Sequence, residues 1–437
     1  MRKIAILAML SLAFMAKAQQ PWTLRQCIDY AVANNISIQQ HELSRQQREL
    51  DVNTAKYSRL PDLNASASEN LSFGRGLTAD NTYTNTNTQS TSLSLSTTVP
   101  VFTGFRLPKS LKLSKLILEA ANADLEKVKS DVSMQVAQLY VQILYNMELC
   151  DVANRQVEID SMQVFRVEQL LNNGKASGME LAQQQATLSQ SKLTATQADN
   201  DRRLSLLSLA QLLELPAAQD FEVQRIPLTA FEVEVLPSPD AIFSDALTCK
   251  PEIRAEQLRL EGAEKNIGIA RSAYFPTVYL QAGLGSNYYK TNGFAADGFM
   301  KQLKNNFGQF IGLSVNIPIF NRFETRNNVR SAKLSYTQQQ LQLEQTKKNL
   351  YKEIQQAYFN GVASQAKYES SRQAVNSQQA AFQLMTAMYE NGKANITEFN
   401  ETKNNLMRAE SDFARAKYEY LYQRAVLDFY RGKPLHF

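Results

Sequence analysis

The feature that most constrains the fold of this chain is an internal duplication. Two tetrapeptides recur 218 residues later in the same order, Val99-Pro100-Val101-Phe102 as Ile317-Pro318-Ile319-Phe320 and Asn173-Gly174-Lys175-Ala176 as Asn391-Gly392-Lys393-Ala394. Tyr140 and Tyr358 keep the same spacing. Because solenoid repeats are only roughly 20–50 residues long, this period indicates two copies of one larger unit.

Each copy is predicted to contain the same order of elements, over about 19–215 and 239–431, with an equatorial linker at 216–238. A helical segment is followed by a strand pair, a very long helix, a tight turn and a shorter helix. The helical segments span Trp22–Arg59 and Pro239–Tyr274, and the strand pairs span about 61–100 and 276–319. The very long helices span Phe105–Asn172 and Phe323–Glu390. The turns lie at about 172–178 and 390–396, and the shorter helices span Ser177–Leu215 and Asn395–Arg431. Residues 19–437 are thus expected to form one unit.

The N-terminal segment, residues 1–18, is predicted to be a removable secretory signal peptide. A basic start, Met1-Arg2-Lys3, precedes an apolar stretch and the small-x-small pattern Ala16-Lys17-Ala18. A buried N-terminal helix is the alternative. An exported chain with 3 cysteines must leave at least one of them unpaired within the chain.

Four segments alternate apolar with small polar residues, which is the signature of strands with one apolar face. They centre on Leu63–Phe73, Ser92–Val99, Thr277–Leu284 and Ile311–Ile317, and polar loops, Gly74–Gln89 and Ser286–Asn306, join each pair. Such strands fit either a soluble sheet with one wet face or an outer-membrane barrel. Since no internal run approaches the ~18 apolar residues of a spanning helix, any membrane insertion must use strands. Closing a barrel takes about eight strands, so several chains would have to pool theirs.

The long helices carry a heptad pattern. The first is 68 residues long, or roughly 100 Å at the α-helical rise. Its apolar register is repeated 218 residues later and runs through Leu118, Leu125, Val132, Leu139, Ile143, Cys150, Val157, Val164 and Leu171. Heptad spacing indicates coiled-coil packing, with one four-residue step that unwinds it locally. A free-standing soluble coiled coil is the alternative, and in either case Cys150 is expected in the core.

The two turns carry residues that can end one helix and start the next. Gly174 and Gly392 fit the position just past a helix end, where a left-handed conformation is needed. Ser177 with Glu180, and Asn395 with Glu398, have the spacing of a capping box. Glu398 and Glu401 are three residues apart and share a helix face, so an oligomer would collect them into a carboxylate ring that favours cations. The alternative is that Glu398 only caps its helix and Glu401 is solvated.

Composition argues against an enzyme. The chain has 3 cysteines and 2 histidines, which nearly excludes a Cys/His metal site or an iron–sulfur cluster. It shows no nucleophile elbow, phosphate loop or metal-ligand spacing, so no cofactor or catalytic residue is predicted. A net charge of +5 is too small to indicate a nucleic-acid partner.

This duplicated plan resembles the TolC-like outer-membrane efflux factors over essentially the whole mature chain. The most specific elements are the paired strand-to-helix junctions, Pro100 with Phe102 and Pro318 with Phe320, and the paired Asn-Gly-Lys-Ala turns. The resemblance implies a mainly α fold with a transmembrane β-barrel portion, in which a homotrimer pools twelve strands within outer-membrane lipid and its helices form a coiled-coil barrel. It also implies a passive exit duct of a tripartite efflux or type I secretion system. The duct would lie in the outer membrane of a Gram-negative bacterium, with a large periplasmic part, and would meet a periplasmic adaptor and an inner-membrane pump of unknown class.

The same resemblance implies roles for the turns. Tyr389 matches a tip tyrosine that helps to hold the closed state, and Glu398, Glu401 and Glu180 fall at the pore entrance. Ala394 stands where the family pattern has an arginine, so that closing contact cannot form in the same way here. The implied adaptor-docking residues are Asn173, Gly174, Lys175, Ala176, Ser177, Asn391, Gly392, Lys393, Ala394 and Asn395.

Two other functions remain as alternatives, a periplasmic coiled-coil adaptor and a structural protein of an export system. An adaptor would carry one helical hairpin flanked by glycine-rich β domains. This chain has two predicted hairpins and only 16 glycines.

Overall fold

The computed structural model describes residues 21–77, 81–85, 87–216, 221–226 and 235–435. The predicted signal peptide lies outside the described residues, and so does much of the linker 216–238. The chain divides into two compact units. One, the helical unit, comprises Met1–Leu43, Ala123–Arg254 and Glu344–Phe437, and the other, the sheet unit, comprises Ser44–Asn122 and Ala255–Leu343.

The described residues contain helices for most of their length and strands in two short stretches. The order is α1 (Leu24–Asn34), α2 (Ile36–Tyr57), β1 (Asn64–Ser72), β2 (Arg75–Leu77), β3 (Tyr83–Asn85), β4 (Thr88–Thr103), α3 (Arg106–Asn172), α4 (Gly178–Leu212), α5 (Pro239–Cys249), α6 (Pro251–Ser272), β5 (Thr277–Thr291), α7 (Phe299–Asn305), β6 (Gly308–Asn316), α8 (Glu324–Glu390) and α9 (Ile396–Tyr430). Among these residues, none of the helices is long and apolar enough to cross a membrane.

The long helices α3 and α8 are each 67 residues long, one residue shorter than the predicted helices. No residue of the predicted apolar register is exposed in either helix. Cys150 is buried, as expected, and Cys27, Cys150 and Cys249 are all free thiols. The heptad register therefore marks the packed side of both long helices.

The first helical segment of each repeat, predicted over Trp22–Arg59 and Pro239–Tyr274, is not one continuous helix. Asn35 adopts an extended conformation between α1 and α2, and its side-chain oxygen accepts from the backbone N–H of Ser37 at 3.0 Å. Lys250 is extended between α5 and α6, because the following residue is Pro251, whose ring disfavours a helical conformation before it. Each segment is therefore a pair of helices with a break.

The sheet unit contains an antiparallel sheet in the order β1-β4-β5-β6. Leu95 pairs with Ala65 on one side and with Leu284 on the other, so the apolar residues of neighbouring strands share one face. Several of them are exposed, among them Leu63, Ile311 and Leu313. The four predicted strands are confirmed, but the predicted polar loops are wrong, because they contain the hairpin β2–β3 and the helix α7.

The helical unit has its largest apolar core where α1 meets the middle of α3. The phenol of Tyr140, on α3, is buried and donates to the backbone carbonyls of Trp22 at 3.1 Å and Gln224 at 2.8 Å. The side chain of Asn35 donates to the carbonyl of Leu212 at 3.2 Å. These bonds fix the start of α1 and the end of α4 against the core.

Candidate functional site

The first of the two turns that join helices lies between α3 and α4 and is closed by backbone hydrogen bonds. Gly174 has φ +71°, and its N–H donates to Leu171 at 2.9 Å while Lys175 donates to Leu170 at 2.8 Å. This pair of bonds is a Schellman motif, which satisfies carbonyls at the end of the helix. A Cβ on Gly174 would meet no atom within 4 Å, so the positive φ alone favours glycine here.

The second turn repeats this geometry after α8. Gly392 has φ +68°, and Gly392 and Lys393 donate to Tyr389 at 3.1 Å and Met388 at 2.8 Å. Asn395 then caps α9, since its side chain accepts from the N–H of Glu398 at 2.9 Å. The glycine conformation and the Asn395 capping box are confirmed. Both turns lie in the helical unit, and most of their residues are exposed.

The carboxylates proposed from the sequence have capping contacts. Glu180 accepts from the N–H of Ser177 at 3.0 Å and Glu398 accepts from the N–H of Asn395 at 3.1 Å. Each bond uses one carboxylate oxygen, and the described residues supply no hydrogen bond to the other. Glu401 is exposed one turn further along α9. The capping role of Glu398 is thus observed. The carboxylates of Glu398 and Glu401 are both exposed to solvent.

Tyr389 lies in a small aromatic cluster at the end of α8. Its ring stacks on Phe399, with centroids 4.9 Å apart, and the guanidinium of Arg166 lies 4.8 Å from its centroid. Arg166 also donates to the carbonyl of Glu390 at 3.3 Å. Burial raises the pKa of Tyr389, Arg166 opposes that rise and Glu180 adds to it. Tyr389 therefore remains a neutral phenol at physiological pH, held by an arginine of α3.

A buried ion pair links α3 with α9. Lys403 and Asp160 have side chains only 2% and 1% exposed and are in direct contact. The other carboxylate oxygen of Asp160 accepts from Ser191 at 2.5 Å and from Gln156 at 3.1 Å. This network joins the two hairpins of one chain through fully buried charges. Sequence reasoning missed it because the two partners are 243 residues apart and no local pattern marks them.

The buried pair belongs to a ladder between two antiparallel helices. On α9 the ladder residues Lys403, Glu410 and Lys417 are spaced by seven. Glu410 accepts from Arg155 at 3.1 Å and Lys417 donates to Glu148 at 2.5 Å. The sign of the charge on α9 alternates along the ladder. A shift of α9 by one heptad would bring like charges together, so the ladder fixes the register of the two hairpins.

The strand-to-helix junctions contain a turn that the motif did not predict. Gly104 and Phe105 both have positive φ, and so do Arg322 and Phe323 at the equivalent places of the second repeat. The ring of Phe105 lies edge-on to Phe102, with centroids 5.3 Å apart. Phe320 and Phe323 make the same contact at 5.6 Å. Pro100 lies within β4, whereas Pro318 follows the end of β6.

In the part of the chain that the structure describes, no group of three or more His, Cys, Asp or Glu side chains could hold a metal ion. The notable contacts of the site are instead capping bonds, aromatic stacking and ion pairs between helices. Such an arrangement positions long helices against one another.

Comparison with known proteins identifies relatives along nearly the whole chain. A family model described as outer membrane efflux protein matches residues 27–214 and 242–433. Outer membrane protein TolC of Escherichia coli (strain K12) is 23% identical over 437 residues, covering 96% of this chain and 84% of that protein. Probable outer membrane lipoprotein SilC of Salmonella typhimurium is 22% identical over 389 residues, covering 87% and 79%. The crystal structure of VceC from Vibrio cholerae superposes with a TM-score of 0.77 at 18% identity, covering 94% of this chain and 97% of that chain, so the two share a fold.

Proposed function

The chain belongs to the outer membrane efflux protein family, and we propose that three copies of it form a passive exit duct through the outer membrane. In this proposal the duct receives substrates from a periplasmic adaptor and an inner-membrane pump, in a tripartite efflux or type I secretion system. The chain itself performs no chemical step, and the choice of substrate belongs mainly to the pump.

The main support for this proposal is the open four-stranded sheet. Its two edge strands, β1 and β6, have no further strand partner among the described residues, while apolar side chains lie exposed on one face. Open strand edges are not viable in lipid, and four strands are too few to close a barrel. Pooling the sheets of several chains pairs the edges and turns the apolar face towards lipid. Similarity to outer membrane protein TolC and to the probable outer membrane lipoprotein SilC supports that location.

The hairpin turns are proposed to be the inner end of the duct. Residues 173–177 and 391–395 would dock the adaptor, since most of their side chains are exposed. Tyr389 is proposed to help hold the closed state. In a trimer, Glu398 and Glu401, with Glu180 of the first repeat, would place carboxylates around the entrance.

The first experiment measures the mass of the detergent-solubilised protein and its single-channel conductance in a planar bilayer. We expect a particle with the protein mass of three chains that inserts and conducts. A monomer or dimer that never conducts would contradict the proposed function. Such a result would favour a soluble sheet and a structural role in the periplasm.

The carboxylate ring predicts cation selectivity. Replacing Glu398 and Glu401 with glutamine should lower the cation-over-anion permeability ratio several-fold, because the charge is lost while a glutamine at position 398 can still cap its helix. Reversal potentials in a potassium chloride gradient measure this ratio. The matched control replaces Glu261 and Glu264 with glutamine. These two residues are also three apart and are exposed on a helix of the sheet unit. If replacing Glu398 and Glu401 leaves the cation-over-anion permeability ratio unchanged, the carboxylate ring is excluded.

A further inference from the structure

The connection between β5 and β6 contains a short helix at the far end of the sheet. The long helices follow β4 and β6 directly, so both leave the sheet at the same end. Because the strands are antiparallel, the β5–β6 connection lies at the opposite end. Helix α7, Phe299–Asn305, forms the middle of that connection. In the proposed duct, this is the end that faces the cell exterior.

Side-chain amides fasten α7 to the part of β5 that β6 does not reach. The β5–β6 ladder ends where Gly285 pairs with Gly308. Beyond it, Gln302 accepts from the N–H of Tyr289 at 3.0 Å and donates to the carbonyl of the same residue at 3.0 Å. Asn306 donates to the carbonyl of Asn287 at 2.7 Å. These bonds replace the missing strand, so α7 is held in a fixed position beside β5.

The helix lies on the apolar side of the sheet. Leu284, Ser286 and Tyr288 share one face of β5, because alternate residues of a strand point the same way. Ser286 donates to the carbonyl of Leu303 at 2.6 Å, and Tyr288 meets the ring of Phe299 with centroids 5.1 Å apart. The face that contacts α7 is therefore the face that would meet lipid in the pooled barrel.

The surface formed by α7, Phe307 and the adjoining end of β5 mixes exposed apolar and cationic side chains. Met300 is 75% exposed, Phe307 58% and Phe299 43%. Lys290, Lys301 and Lys304 are exposed as well. Asp297 pairs with Lys301 at 2.9 Å, but Lys290 and Lys304 form no ion pair with any described residue. Aromatic and apolar groups beside lysines are typical of segments that lie in the headgroup layer of a membrane.

We propose that α7 and the adjoining end of β5 form a binding surface for anionic lipid headgroups at the outer face of the membrane. Met300 and Phe307 enter the interfacial layer, and Lys290 and Lys304 bind lipid phosphates. The surface continues the apolar face of the sheet, and its free positive charge complements the negative charge of the phosphates. This inference rests on the proposed function, because it requires the sheet to span a membrane.

A fluorescence experiment tests where α7 lies. The chain has a single tryptophan, Trp22, so the variant Trp22→Phe with Met300→Trp has one reporter on α7. In vesicles of phosphatidylglycerol and phosphatidylcholine, we expect blue-shifted emission that lipids brominated near the headgroup quench. The control, Trp22→Phe with Phe165→Trp, has its reporter on an exposed position of α3 in the helical unit, and its emission should stay water-like.

Conductance of the same vesicles distinguishes a failure of the lipid-binding surface from a failure of the proposed function. Water-like, unquenched emission from position 300 in a channel that conducts overturns the lipid-binding surface and leaves the proposed function intact. If the parent protein neither inserts nor conducts, both are overturned.

A second experiment tests the lysines. The variant Lys290→Gln with Lys304→Gln should retain at most half of the phosphatidylglycerol that the parent trimer carries from mixed micelles, as counted by native mass spectrometry. The control variant, Lys192→Gln with Lys348→Gln, removes two exposed lysines from helices outside the sheet and should retain the parent number. Equal retention by both variants would exclude phosphate binding by Lys290 and Lys304.

Discussion

Replacing Lys403 with methionine is expected to lower the free energy of unfolding by about 3–5 kcal/mol, because the change leaves a buried charge unpaired. Lys403 and Asp160 are almost fully buried, so water cannot take the place of the missing partner. Asp160→Asn should destabilise the chain in the same way by leaving the ammonium group of Lys403 without its carboxylate. Urea unfolding of the detergent-solubilised protein, followed by circular dichroism, measures both effects.

The double variant, Asp160→Asn with Lys403→Met, distinguishes a pair from two independent sites. We expect it to be clearly more stable than either single variant, since no unpaired charge remains and an asparagine at position 160 can still accept from Ser191 or Gln156. The control is Arg155→Met, which breaks an ion pair of the same ladder whose arginine is 55% exposed. That change should cost less than about 1 kcal/mol. Additive losses in the double variant would contradict a coupled pair.

The elements that could be predicted from the sequence are those with local signals. The capping boxes at Ser177 and Asn395 depend on residues three apart, and the ends of α3 and α8 depend on a glycine with positive φ just beyond them. A heptad register shows the packed side of a helix without reference to its partner. These signals placed the ends of the four longest helices within a few residues of their observed positions.

What the sequence did not reveal depends on distant partners or on weak local signals. The break at Asn35 is stabilised by a contact with Leu212, and helix α7 is held by bonds to β5 rather than by its own seven residues. The pairing of Asp160 with Lys403 follows from the packing of two helices from different repeats. The roles proposed for Glu401 and the adaptor-docking turns depend on an assembled trimer, which one chain cannot display.

The sheet is where a single substitution should have the largest effect on function. Leu95 lies in the middle of β4, on the apolar face between Ala65 and Leu284. Leu95→Arg should cost about 2–4 kcal/mol per chain if this face meets the middle of the bilayer. Because the proposed trimer would carry the substitution three times, we expect folding into phosphatidylcholine vesicles to be almost abolished. The heat-dependent shift of the folded oligomer on gels measures the folded fraction.

Ser92→Arg is the matched control, because it places the same side chain on the same strand but on the opposite face. Ser92 pairs with Ser68 and Asn287, so its face is lined by small polar groups that would border water inside the duct. This variant should fold into vesicles nearly as well as the parent chain. Equal losses for the two variants would mean that the apolar face is not the lipid-facing side. Tolerance of both would mean that the sheet does not enter a membrane, since water would then solvate an arginine equally well on either face.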